Sequence, residues 1–261
     1  METRPILTDA RIRLFVEQPL APGNPVRLTD AQTHYLTAVM RLGVGDAVRL
    51  FNGTDGEWRA EVADTARRGA TLVCGARTRL QEAACDLWLL FAPIKKARTD
   101  FIVEKAVEMG VARILPVQTR HTQADRIRQD RLQAHAMEAA EQCGALAVAR
   151  VEPLAPLDRV LAGWPSGRRI LWADEDLRDG GDPGQGGAAS PEPSVDAGGW
   201  AVLVGPEGGF STEEQARLRA MPQVMPVRLG PRILRADTAA VAALTLWQLR
   251  YGDWGAGADD A

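Results

Sequence analysis

The chain has 261 residues, 46% of them hydrophobic and 25% charged, with a formal net charge of −3, the make-up of a globular protein with one large or two modest domains. No uncharged apolar run approaches the roughly 18 residues of a membrane span, and none follows the opening METRPILTDARIRLF, so the sequence predicts a cytoplasmic protein without span or signal peptide. Cys74, Cys85 and Cys143 form no C-x-x-C pair and have only three histidines for company, which speaks against a disulfide framework and a metal site and predicts reduced thiols.

In chain order, DAQTHYLTAVMRLG reads as a short helix, with Thr29 and Asp30 as its capping pair and Gly43 as its stop. Helical spacing puts Tyr35, Val39 and Leu42 on its apolar face. AVRLFNG, EWRAEVAD and ATLVCGARTRL follow as partly alternating strands broken by Asn52-Gly53, Asp55-Gly56 and Arg68-Gly69 turns. They predict a small barrel or sandwich over residues 1–80, with a boundary between Arg79 and Ala84. From Leu87 the pattern alternates: strand LWLLFAP, helix FIVEKAVEMG, strand ARILPV, long helix QDRLQAHAMEAAEQCG, strands RRILWAD and WAVLVG, helix TEEQARLRAM, strand VMPVRLG and helix DTAAVAALTLWQLRYG. Such alternation predicts an α/β domain with a mostly parallel sheet over residues 85–254. The run between Asp179 and Gly199, rich in Gly, Pro, Ser and acid, reads as a flexible loop.

Charge is unevenly spread. Residues 171–199 hold seven acids against Arg178, and residues from Gly252 onward hold three acids and no base. Without those nine net negative charges the remainder stands at +6. Association depends on the field at the docking face, so a phosphate-bearing partner is compatible with this chain; arginines scattered over a solvated surface give the same count.

Two glycine-bearing segments fall at the carboxyl ends of expected strands, where open α/β sheets bind ligands. One is Val202 to Gly209 (VLVGPEGG) and the other Leu229 to Arg235 (LGPRILR). Neither is a P-loop or a dinucleotide fingerprint, since Gly-Lys-Ser/Thr and G-x-G-x-x-G are both absent. Taken alone, GPEGG is equally a tight strand-to-helix turn with Ser211 and Glu214 as a capping box. As a pair, LVGPEGGFSTEE and RLGPRILRADTAA resemble the signature of the SPOUT methyltransferases, in particular the ribosomal RNA small-subunit uridine-N3 methyltransferase family. KKARTDFIVEKAVEMGVARILPV, AAEQCG at Ala139 to Gly144, and HYLTAVMRLGVGDAVRLFNG are further points of similarity, and together they cover roughly Arg11 to Asp253. Asp237 and Ala236 stand where the family has Glu and Thr, Met109 where it has Leu, and an Arg usual shortly after the EQ pair is missing.

The resemblance implies a trefoil-knotted α/β methyltransferase domain, a PUA-like β-barrel that binds RNA, a homodimer, and S-adenosylmethionine as cofactor with no metal. It assigns the cofactor to Trp172, Ala173, Leu203, Gly205, Pro206, Glu207, Gly208, Gly209, Leu229, Gly230, Ile233 and Leu234. RNA contacts from small-subunit ribosomal RNA or the assembled subunit fall to Arg11, Arg13, His34, Arg41, Lys95 and Lys96. Arg11 and Arg13 have a plainer reading as side chains facing water from an edge strand. Methylating a uridine N3 requires loss of its proton and stabilisation of charge spreading to O2 and O4, so positioning and charge stabilisation dominate. Arg232 and Arg235 are the candidate donors, with a salt bridge to Asp237 or a helix-dipole contact as their alternative. Glu207 and Asp237 are the candidate proton acceptors, with Glu207 otherwise bonding backbone N–H groups of its own loop. Methylation of a ribose 2′-oxygen or another base, and a non-catalytic assembly factor, are the competing functions.

Overall fold

A computed structural model describes residues 10–66, 69–83, 85–124, 126–179 and 199–255. Apart from its ends, the 179–199 loop therefore lies outside the described residues. The chain divides into two compact units, Met1–Ala84 with Ala140–Val148, and Cys85–Ala139 with Ala149–Ala261.

The first unit contains β1 (Arg13–Phe15), β2 (Pro25–Arg27), α1 (Asp30–His34), β3 (Ala47–Phe51), β4 (Glu57–Asp64) and β5 (Thr71–Arg79). Its five strands form a curled sheet in the order β1-β3-β4-β5-β2. Alternation along the strands sends Val48 and Leu50, then Trp58, Ala60 and Val62, then Leu72 and Cys74 into one core. Thr29 caps α1 in a full capping box with Gln32 rather than as a Thr29-Asp30 pair. The helix then widens into a π turn over Tyr35–Val39. That extra residue per turn shifts the apolar face, so Leu36 is buried and Leu42 packs on the core, while Tyr35 and Val39 are exposed, contrary to the 3.6-residue reading.

The second unit contains β6 (Leu87–Phe91), α2 (Lys96–Glu108), β7 (Arg113–Gln118), β8 (Arg150–Val151), β9 (Ala155–Pro156), α4 (Leu157–Ala162), β10 (Arg169–Ala173), β11 (Trp200–Val204), α5 (Thr212–Ala220), β12 (Val224–Val227) and α6 (Ala236–Tyr251). Helix α3 (Gln129–Cys143) spans the division between the units. The main sheet runs β12-β10-β11-β6-β7-β8, and each of its pairings is parallel. Its central strands are unbroken apolar runs, Leu87 to Phe91, Ile170 to Trp172 and Ala201 to Val204, because a parallel sheet covered on both faces leaves no side for polar residues. Helix α6 buries Ala236, Ala239, Ala240, Ala243, Leu244 and Trp247, the small residues allowing close approach to β10 and β11. No described helix is long and apolar enough to cross a membrane.

Candidate functional site

Three adjacent parallel strands, β12, β10 and β11, end at the same edge of the sheet, and the segments leaving them wall a cleft. Its walls are Ala173 to Glu175 after β10, Val204 to Glu207 with Gly209 and Phe210 after β11, and Arg228 to Gly230 with Arg232 to Leu234 after β12. Ala236 and Ala239 of α6 close the back. The cleft sits where open α/β sheets place their small-molecule sites.

Nine of the twelve residues assigned to the cofactor line this cleft: Ala173, Gly205, Pro206, Glu207, Gly209, Leu229, Gly230, Ile233 and Leu234. Trp172 and Leu203 do not, because strand alternation buries both completely in the layer beneath. Trp172 reaches the site only through the edge of Phe210, whose ring centroid is 5.8 Å from its own. Gly208 turns outward, and its carbonyl, with that of Gly209, accepts from His121 Nδ1 at 2.9 and 3.2 Å. A carbonyl can only accept, so this nitrogen carries the proton.

The capping box reading of the first segment also holds: Ser211 accepts from Glu214 N at 3.3 Å and Glu214 accepts from Ser211 N at 2.8 Å. The Glu214 side chain additionally accepts from Arg120 N at 2.8 Å. The segment after β7 thus braces the glycine loop from outside, which the sequence reading missed. Gly209 has φ +66°, the left-handed conformation that favours glycine. Gly205 is constrained by space instead: a Cβ there would stand 2.7 Å from the Phe210 ring. Asp174, 4% exposed, takes a 2.9 Å ion pair from Arg219 and fixes the start of the β10 segment.

Glu207 and Asp237 are brought together by a residue the sequence reading did not single out. Arg98, in the first turn of α2, pairs with Glu207 at 2.6 Å and with Asp237 at 3.5 Å. Glu207 therefore does not spend its carboxylate on its own loop. Asp237 is likewise not bridged to Arg232 or Arg235, and among the described residues neither of those arginines has an ion-pair partner. Arg232 lines the cleft; Arg235 is the N-cap residue of α6, exposed, with no side-chain capping bond. Among the described residues no three His, Cys, Asp or Glu side chains are grouped to hold a metal ion. Burial, with the charges of Asp253 and Asp86, pushes the Cys85 thiol up to about 11, which leaves it a protonated, free thiol.

Of the basic residues assigned to RNA, Arg11, His34, Arg41, Lys95 and Lys96 are exposed. Arg41 is the one non-glycine residue with positive φ among those described, at +57°, and stands beside exposed Tyr35, Val39, Met40 and Val44. Arg13 is different. Although β1 is an edge strand, its side chain is 9% exposed, lies over the Phe51 ring and pairs at 2.7 Å with Glu57, itself 1% exposed. Its remaining donors go to the carbonyls of Ala140, Glu141 and Ala145. Phe15 N donates to the Glu141 carboxylate at 2.9 Å, so the AAEQCG stretch is a dock for β1 inside the first unit. Arg13 therefore has no free donor edge for a phosphate. Arg13→Ala is expected to lower stability by roughly 3 kcal/mol, the low end for breaking a buried pair because Arg49 and Thr78 still face Glu57. Urea unfolding measures it; unchanged stability with weakened RNA binding would return Arg13 to the RNA interface.

The geometry agrees with what the chain is similar to. Residues 81–248 match the RNA methyltransferase domain, and residues 28–73 match the RNA methyltransferase PUA domain. Ribosomal RNA small subunit methyltransferase E of Rickettsia conorii is 29% identical over 89% of this chain and 93% of its own. The protein of that name from Synechocystis is 31% identical over 84% of this chain and 71% of its own. The crystal structure of the Neisseria gonorrhoeae enzyme of that name, bound to S-adenosyl methionine, superimposes with a TM-score of 0.80 at 26% identity, covering 93% of this chain and 99% of that one. With a matching methyltransferase domain over most of its length and the cleft at the expected sheet edge, this chain belongs to the RNA methyltransferase family.

Proposed function

We propose that the protein methylates N3 of a uridine in small-subunit ribosomal RNA, drawing the methyl group from S-adenosylmethionine bound in the cleft. The observation that carries this reading is the pairing of a glycine-walled cleft with two arginines at its rim, Arg232 and Arg235, that have no partner among the described residues, in a chain of the RNA methyltransferase family. The cleft suits that cofactor. Val204, Phe210, Leu234 and Ala239 offer apolar walls, and the loops around Gly205 and Gly230 present backbone where a side chain would fill the space. When bound, S-adenosylmethionine supplies a methyl group on a positively charged sulfur.

The protein's own part is to orient and to stabilise charge. N3 gives its proton to solvent water at the open mouth of the cleft, since Arg98 already engages both Glu207 and Asp237; negative charge spreads to O2 and O4 of the ring, and guanidinium groups at the rim donate to those oxygens and to a neighbouring phosphate. Arg11, His34, Arg41, Lys95 and Lys96 contact the rest of the RNA. The exposed apolar side chains around Arg41 suit unstacked bases, which is how single-stranded RNA is commonly held. The active form is a homodimer working in the cytoplasm. Exposed Phe101 on α2, Leu249 on α6, and Ile233, 65% exposed at the mouth of the cleft, are the apolar surface that a second copy would cover.

The test is nucleoside mass spectrometry of ribosomal RNA from cells with and without the gene, together with titration of the purified protein with S-adenosylmethionine. Loss of a 3-methyluridine signal is the expected result. A loss confined to a ribose-methylated nucleoside moves the reaction to a 2′-oxygen, and the absence of cofactor binding makes the chain a non-catalytic RNA binder.

A further inference from the structure

We infer that Arg98 is a positioning residue of the methylation site: its single guanidinium holds Glu207 and Asp237 together, setting the gap between the two glycine loops and keeping both carboxylates away from Arg232 and Arg235. The inference rests on the proposed reading of the cleft.

The two segments it joins are linked by the packing of α6 on β11 but share no strand ladder. Glu207 follows β11 and Asp237 follows β12, and β10 lies between those strands, so no ladder hydrogen bond ties one to the other. Arg98 reaches both from the first turn of α2, whose backbone is well fixed. The next residue, Thr99, is 5% exposed, and its hydroxyl engages both the N–H and the carbonyl of Ile94 at 3.1 Å; Asp100 is 8% exposed and paired with Arg131. A rigid post therefore fixes the span between two loops.

Charge balance gives the second half of the argument. Of the other charged residues lining the cleft, Arg228 and Glu175 have partners of their own and Asp174 is paired with Arg219, which leaves Arg98, Arg232 and Arg235 to share Glu207 and Asp237. With Arg98 taking both acids, Arg232 and Arg235 have no ion-pair partner among the described residues and are available to an anionic ring or phosphate. Without it, the closest anions to Arg235 include Asp237, two residues along the chain, and the donors meant for substrate acquire a competitor in the protein itself. Arg98, Glu207 and Asp237 are 31%, 41% and 21% exposed, and ion pairs that wet add little to overall stability, so the contribution lies in local order.

The experiment compares the full-length protein with Arg98→Ala, Arg98→Lys and Arg98→Ala combined with Glu207→Gln and Asp237→Asn. Thermal unfolding, S-adenosylmethionine affinity and kcat and KM for ribosomal RNA are measured on each. Arg98→Ala is expected to unfold at an unchanged temperature yet lose about tenfold in kcat and in cofactor affinity, the scale of coupling between residues in one network. Lysine, a point charge without a fork, should recover only part of this. The triple variant should regain kcat over Arg98→Ala, because its arginines are no longer captured, while cofactor affinity stays low. A triple variant no more active than Arg98→Ala overturns the proposal, as does wild-type activity in Arg98→Ala. A wild-type protein that neither binds S-adenosylmethionine nor methylates RNA overturns the underlying reading instead.

Discussion

Gly205→Val is expected to abolish S-adenosylmethionine binding while leaving a folded protein. The reason is steric. A Cβ at Gly205 would lie 2.7 Å from the Phe210 ring, which is buried and set edge-on against Trp172, so it has little room to retreat into the core. Valine adds two further carbons to that Cβ. The ring must yield toward the cleft it lines, and ring and new methyl groups together fill space the ligand needs. Overpacking of this kind costs about 1–3 kcal/mol, less than the typical 5–15 kcal/mol stability of a domain. Far-UV circular dichroism and a thermal melt establish folding; calorimetric titration reads the affinity. A folded variant that binds the cofactor as tightly as wild type would remove the ligand from this cleft. Gly205→Ala, carrying the Cβ alone, should fall between the two.

Arg235→Ala should lower kcat by about 10²-fold or more, on the scale seen for removal of one oxyanion-type donor, with cofactor affinity unchanged. Two structural facts separate this effect from damage. Arg235 is the N-cap residue of α6 but makes no side-chain capping bond, so alanine removes no cap, and it does not line the cleft. What the variant loses is a donor free to meet charge that appears only as N3 is deprotonated, and such an interaction registers in kcat. Arg41→Ala offers the contrast: a higher KM for RNA, a salt slope shallower by about 0.7–0.9 per lost phosphate contact, and little change in kcat. Steady-state methylation of purified small subunits at several salt concentrations measures both. If Arg41→Ala cuts kcat and Arg235→Ala alters KM alone, the roles given to the two residues are reversed.

The regular parts of this fold are plain in the sequence because each carries its own period. The long apolar runs of β6, β10 and β11 and the alternation of β3 and β4 survive any tertiary rearrangement. Strands β8 and β9, two residues each, and the six-residue α4 are too short to show a period and are missed. Tyr35 and Val39 are misassigned because a π turn changes the very spacing on which the assignment depends. In the site, glycine loops can be read from their motifs, but residues that act through side-chain partners cannot. Arg98 meets Glu207 across 109 positions of sequence, and His121 meets Gly208 across 87. Arg13 looks like an exposed cation because nothing nearby in sequence announces Glu57 or the carbonyls that claim it.

The placement of β10 between β11 and β12 also bears on how the protein is made. Synthesis runs from the N-terminus, so β10 and β11 leave the ribosome before β12, and for that interval the far edge of β10 has no partner. Its sequence, Arg-Ile-Leu-Trp-Ala, is the kind of apolar edge that recruits strands from other chains. Only when Val224–Val227 pairs with it and α6 covers the layer does the edge disappear, and the cleft is completed in the same event. Cofactor binding is thus a late acquisition of the nascent chain, and slow delivery of β12 is the point at which this protein is most exposed to aggregation.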